Sequence, residues 1–161
     1  METKEIISWD EYFMGVALLS AKRSKDPNTQ VGACIVNQDK LIVGVGYNGT
    51  PRGWDDSKFP WDKREGEYLE QKYPYIIHAE LNAIINSASR DLRGCTMYAT
   101  LAPCGECAKA IAQAGIKKVF YLHDIYAHVD LFKAARVTFA ALGIECVQLK
   151  TPLKEIKLCL S

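Results

Sequence analysis

The chain has 161 residues, 20 lysines and arginines against 19 acids, and a net charge of +1. Its length suits one domain, 1–161, with one sizeable core, and its balanced charge without a basic run or tail argues against nucleic-acid partners. No apolar span of about 18 residues suggests a membrane segment, and Met1–Glu5 lacks a signal-peptide pattern.

Read in chain order, the elements alternate. Ser8 and Glu11 form a capping box that opens a first helix. Trp9, Phe13, Val16 and Leu19 recur at helical spacing and read as its core stripe, with Pro27 ending the region. Val31–Val36 and Leu41–Tyr47 read as strands of a hairpin turning near Asn37-Gln38-Asp39. The connection 49–75 is long for a small domain. It predicts either a packed surface excursion or a nucleotide-binding or subunit-contact element, with a short helix near Glu65–Lys72. A helix follows over Ala79–Ala88. Cys95–Thr100 is a strand, and a helix beginning around Cys104 stops at Gly115. Lys118–Leu122 is a strand, Phe132–Leu142 a helix ended by Gly143, and Ile144–Leu149 the fifth strand. The helical links between the last three strands predict parallel pairing. The expected fold class is α/β, a three-layer α/β/α domain with a five-stranded mixed sheet.

The chemistry concentrates in two short segments, His78-Ala79-Glu80 and Pro103-Cys104-Gly105-Glu106-Cys107. Cys104 and Cys107 share a face if a helix starts there, and Pro103 suits a helix start. Two thiolates and a neutral His78 make three zinc ligands, one short of a closed structural site, which leaves a fourth position for water. On a regular helix His78 and Glu80 would point to opposite sides. They serve one site only from the first turn, past the helix end. The competing reading is a structural zinc knot or a buried cysteine pair. A closed site would need a further ligand, and the other histidines are His123 and His128. Cys34, Cys95, Cys146 and Cys159 read as core thiols, and with two of the six cysteines on zinc a reducing, cytoplasmic setting is expected.

The spacing H-x-E…P-C-x-x-C is identified as the signature of zinc-dependent deaminases. Ser24-Lys25-Asp26-Pro27-Asn28, Val31-Gly32-Ala33-Cys34, Gly46–Gly53 and Tyr73–Asn82 narrow the likeness. From Tyr12 to Leu149 the chain resembles the deoxycytidylate (dCMP) deaminase branch of the cytidine deaminase superfamily. That resemblance implies a cytidine-deaminase-like fold and conversion of dCMP to dUMP and ammonia, supplying dUMP for thymidylate synthesis. It also implies a homo-oligomer, a hexamer, activated by dCTP with Mg²⁺ and inhibited by dTTP. By position, Glu80 resembles the family's proton shuttle, and His78, Cys104 and Cys107 its zinc ligands. Asn48 resembles a sugar contact, Ala79 and Tyr126 further substrate contacts, and Ser24, Lys25 and Asn28 the loop near the 5′-phosphate. Arg23 and Arg52 remain alternative phosphate partners. Asn48, Gly49, Pro51 and Gly53 resemble an effector site. No cysteine or histidine lies between Cys34 and His78, so one zinc per chain is expected.

The expected mechanism has Glu80 take a proton from the attacking water, protonate N3 of the cytosine ring and deliver a second proton to the leaving amino group. Rival readings share the zinc core: a nucleoside cytidine deaminase, a tRNA adenosine deaminase, a riboflavin-pathway or guanine deaminase, or a zinc-stabilised interaction domain. The near-neutral charge weakens the RNA reading, and Glu80 counts against a purely structural zinc.

Overall fold

Ser8 opens the first helix. Its hydroxyl accepts from the Glu11 N–H at 3.2 Å, and the Glu11 carboxylate accepts from the Ser8 N–H at 2.7 Å. Two donors that a helix start would leave orphaned are thus satisfied reciprocally. In the computed structural model, which describes residues 6–62 and 65–161, this helix, α1, is Trp9–Ala21. The segment Met1–Glu5, read as lacking a leader pattern, lies outside the described residues. The helix ends well before Pro27, with the Lys22 N–H bonded back to Leu19 and Ser20.

The buried face of α1 differs from the expected stripe. Phe13, Met14, Ala17 and Ala21 are buried, whereas Trp9 and Leu19 are 53% and 57% exposed. Small residues decide the matter. A Cβ on Gly32 would stand 1.9 Å from the Ala17 carbonyl oxygen and 2.7 Å from the Ala21 nitrogen. The helix therefore rests its Ala17–Ala21 side directly on strand backbone, which rotates Trp9 outward to stack on Phe13 at 5.5 Å. Gly32→Ala should cost about 3 kcal/mol, since the clash is with backbone on the helix side. Chemical denaturation would measure it, and an unchanged midpoint would contradict the close approach.

The remaining elements follow the expected order with ends displaced by up to three residues, the largest shift at the second helix, which stops at Ile85 instead of Ala88. They are β1 (Gly32–Val36), β2 (Ile42–Tyr47), α2 (Ala79–Ile85), β3 (Thr96–Leu101), α3 (Gly105–Gln113), β4 (Lys118–His123), α4 (Asp130–Ala141) and β5 (Glu145–Gln148). The β1–β2 turn is held by Asn37, whose side-chain oxygen accepts from Asp39 and Leu41, while Lys40 takes φ 61°. Gly115 and Gly143, both at positive φ, follow α3 and α4. Instead of a helix over Glu65–Lys72 there is a single 3₁₀ turn, Tyr68–Glu70. Pro103 also departs from expectation: Cys104 is the N-cap and Gly105 the first helical residue, so Pro103 precedes the cap.

The sheet order is β2-β1-β3-β4-β5. β1 pairs antiparallel with β2 and β3, and β3, β4 and β5 run parallel. Alternation along the strands separates two apolar layers. Cys34, Val36 and Tyr98 face α1 with Phe13, Met14 and Ala17. Ala33, Ile35, Met97 and Val119 face the other way, among Ala83 of α2, Ala108 and Ile111 of α3, and Ala135 and Phe139 of α4. The three layers are thus α1, the sheet, and α2–α3–α4. Of the expected core thiols, Cys34 and Cys95 are buried, Cys146 is half-buried and Cys159 is exposed on the tail. Burial pushes the Cys34 thiol up to about 12. Cys159 has no core position because the chain beyond Leu149 leaves the sheet. No helix among the described residues is long and apolar enough to cross a membrane.

Candidate metal centre and active site

Both ligand-bearing segments sit where a chain turns from a sheet link into a helix. Gly49 and Ile77 form an isolated antiparallel bridge, with N–H···O distances of 3.0 and 2.8 Å, immediately before His78. Asn82 donates to the Tyr47 carbonyl at 2.8 Å. Gly46 completes the seat of α2: a Cβ there would meet the Ala79 oxygen at 2.3 Å. Across the site, Ala102 bonds to the His123 carbonyl at 2.8 Å and delivers the chain to Cys104.

His78 and Cys104 are the N-caps of α2 and α3, both in extended conformation, and neither gives its helix a side-chain cap. Their side chains project past the helix ends instead. Cys107, in the first turn of α3, faces the same way. His78 Nδ1 lies 3.4 Å from Cys104 Sγ and 3.3 Å from Cys107 Sγ, and the three donor atoms fall within 4.8 Å of one another. Tetrahedral zinc with ordinary Zn–S and Zn–N bonds needs sulfur–nitrogen spacings of about 3.6 Å. The donor set and its spacing therefore fit Zn²⁺, with Nδ1 as the imidazole donor. Among the described residues no other His, Cys, Asp or Glu joins the cluster. His123 and His128 stand apart from the cluster.

Glu80 occupies the second position of α2, so the first-turn condition on its spacing from His78 is met. It is 4% exposed. Burial raises its pKa, opposed by the His78 charge and by a hydrogen bond with Cys107. In the zinc-free chain the ligands share their protons unequally. A hydrogen bond with Cys104 lifts His78 to about 9. Hydrogen bonding from Cys107, and then from His78, draws Cys104 down to about 4. The bond to Cys104 together with burial pushes Cys107 up. At neutral pH the trio is imidazolium, thiolate and thiol. Zinc must displace one proton from His78 and one from Cys107, so its apparent affinity should rise about 100-fold per pH unit between pH 5 and 8. Chelator competition across that range would measure the slope, and a flat profile would contradict this proton inventory.

The other residues singled out in the sequence gather at the same end of the sheet. Asn48 is buried at the end of β2. Its side-chain oxygen accepts from Val31 at 2.8 Å, and its amide donates to the Thr29 carbonyl at 2.9 Å. Ser24 is buried and accepts from the Asp26 N–H at 3.2 Å. Lys25 is exposed and pairs with Asp56. Asn28 is exposed and donates its backbone N–H to Asp26 at 2.9 Å. Ala79 is fully buried as the first residue of α2. Tyr126, after β4, packs against Phe132 with ring centroids 5.2 Å apart. Arg23 is exposed, and Arg52 reaches Asn86 at 3.1 Å. Of the expected effector residues, Gly49 bridges to Ile77, the Pro51 carbonyl accepts from Trp54, and Gly53 has φ 92°. The insertion folds around Phe59, which is buried against Trp54 and Trp61.

Sequence reasoning passed over one pair. Lys72 and Asp26 form a buried ion pair, with the ammonium 2.7 and 2.9 Å from the two carboxylate oxygens. The signal available was weak: an Asp followed by Pro and a Lys before Tyr-Pro both read as solvated turn residues.

A family model for the cytidine and deoxycytidylate deaminase zinc-binding region matches residues 7–123. The chain belongs to this deaminase family. The matched stretch contains His78, Glu80, Cys104 and Cys107. Within the wider group of deaminases, the human deoxycytidylate deaminase is 55% identical over 140 residues, covering 87% of this chain and 79% of that protein. A probable deoxycytidylate deaminase of Drosophila melanogaster is 52% identical over 147 residues, covering 88% and 72%. A solved dCMP deaminase of the cyanophage S-TIM5, in complex with dCMP and dUMP, superposes with a TM-score of 0.66 at 30% identity, covering 86% of this chain and 95% of that one.

Proposed function

We propose that this deaminase converts dCMP and water to dUMP and ammonia in a zinc-dependent reaction, with His78, Cys104 and Cys107 holding the ion and Glu80 moving the protons. The observation that carries the chemistry is the convergence of three soft-metal donors beside a buried carboxylate that is not one of them. The choice of dCMP rests on the 55% identity to a deoxycytidylate deaminase. Zinc, when bound, supplies the Lewis acidity that makes water a nucleophile at neutral pH. Glu80 takes a proton from the water that attacks C4, passes it to ring N3, and carries the second proton to the departing amino group. Its burial suits this traffic, because raising a carboxyl pKa toward neutrality eases both uptake and release. Asn48, Ala79 and Tyr126 are the proposed contacts to sugar and base, and Ser24, Lys25 and Asn28 the side of the site that meets the 5′-phosphate.

The finer reading makes the chain a single catalytic domain, 1–161, with residues 49–75 as a regulatory insertion. It has dCTP with Mg²⁺ activating, dTTP inhibiting, a hexameric assembly, and dUMP destined for thymidylate synthesis. Support comes from the Gly49–Ile77 bridge, which ties Gly49, one of the proposed effector residues Asn48, Gly49, Pro51 and Gly53, to the residue before His78. Ultraviolet-monitored deamination of dCMP by zinc-loaded protein, with and without dCTP and Mg²⁺, tests both levels. Turnover that rises with dCTP supports substrate and regulation together. Turnover indifferent to dCTP removes the regulation, and no turnover by folded, zinc-replete protein removes the dCMP reading.

A further inference from the structure

We infer that Lys72 is a positioning residue for the substrate side of this site, acting through Asp26 on Asn48 and the 26–31 loop. The Lys72 and Asp26 side chains are 6% and 2% exposed, and the chain separates them by 46 residues. A buried ion pair is a poor way to add stability, since apolar replacements of similar volume often do as well or better. What such a pair does well is fix geometry, and here the geometry extends beyond the pair. The Asp26 carboxylate accepts from Lys72 through both oxygens, from the backbone N–H groups of Asn28 at 2.9 Å and Thr29 at 3.3 Å, and from the Asn48 amide at 3.4 Å. Asn48 in turn holds Val31 N–H and the Thr29 carbonyl. One ammonium from the far end of the insertion thereby sets the turn at Asn28 and the orientation of the Asn48 carboxamide.

The same network reaches the metal centre. Asn48 is followed by Gly49, which is bridged to Ile77, the neighbour of His78. Without the ammonium, the Asp26 carboxylate is a buried charge with only neutral donors. It must then draw in water or turn outward, and either move carries the Asn28 turn and Asn48 with it. The insertion is thus a strut for the substrate loop. Misplacement of a substrate-holding group by about 1 Å can cost up to ~10²-fold, so the effect should appear in substrate binding rather than in metal content.

The inference rests on the reading of Asn48 and the 24–28 loop as substrate-facing, so the test uses Lys72→Met, Lys72→Arg and Asn48→Ala together. Each is made in the full zinc-loaded chain and assayed for zinc per chain, kcat, KM for dCMP and inhibition by dUMP. Lys72→Met should raise KM and the dUMP inhibition constant in parallel by about 10-fold or more, with zinc content unchanged and kcat changed by less than about threefold. Lys72→Arg keeps the charge but cannot place one nitrogen on both oxygens, and should fall between Lys72→Met and the parent. A KM within about twofold of the parent in the Lys72 variants, whatever happens to their melting temperature, overturns the inference. If Lys72→Met fails to fold, Lys72→Arg decides alone, and a parental KM there overturns it equally. An unchanged KM in Asn48→Ala as well would locate the failure in the substrate reading of the loop.

Discussion

Glu80→Gln should retain zinc and the fold and lose at least ~10²-fold in kcat, the lower range for removal of a general acid–base. Three observations combine to give this result. Glu80 is outside the donor cluster, so no metal bond is lost. It is 4% exposed in the first turn of α2, and glutamine matches its volume, so packing is conserved. The amide can still hydrogen-bond to Cys107, so the orientation of the ligand is preserved. Only the capacity to take up and release a proton disappears. Steady-state assay beside metal analysis separates the terms: near-normal turnover at full zinc occupancy would remove Glu80 from the chemistry.

Cys104→Ala should abolish activity by a different route, through loss of the ion. Removing one of three protein donors is a deeper change than removing an outer-shell partner, which already costs about 10- to 100-fold in metal affinity. Zinc affinity should therefore fall by well over ~100-fold. Cys104 also carries the thiolate of the zinc-free trio, so the variant leaves His78 without the partner that lifts its pKa. Metal content after dialysis checks the result, and zinc at parental stoichiometry would exclude Cys104 from the ligand set. The variant should also melt lower, since an ion that binds only the folded chain stabilises it. The two variants are thus told apart by metal analysis even if both are inactive.

The sequence carried the element order, the parallel half of the sheet and the residues of the His78, Cys104 and Cys107 cluster, because each rests on local patterns. Alternating or helical runs, Gly stops, His78-Ala79-Glu80 and the Cys104–Cys107 pair are each confined to a few residues, although His78 and Cys104 themselves lie 26 residues apart. What escaped depends on closure of the chain. The α1 stripe was misplaced because the absent Cβ of Gly32, on a different element, determines which side of the helix can approach. Cys159 sits in an apolar-looking segment whose exposure follows from the path of the tail, not from its neighbours. The Asp26–Lys72 pair needs the whole insertion folded before the two charges meet, and neither residue differs locally from a solvated one. Asn48 was picked out as a site residue, yet its bonds to Val31 and Thr29 could not be read from an Asn-Gly pair that looks like any turn.

The first helix begins with a dedicated serine cap, whereas the two helices that frame the metal begin on a histidine and a cysteine that cap nothing. Each omission forgoes about 1 kcal/mol at a helix start. Before zinc arrives, these two ends should therefore be the first parts of the α2–α3 layer to fray. Amide hydrogens near 79–82 and 105–108 should exchange faster in chelator-treated protein than in loaded protein, while those of α1 keep their protection. Fraying of this kind gives an incoming ion ligands that can still move, so that maturation of the enzyme and tightening of its two loosest helix ends become the same event.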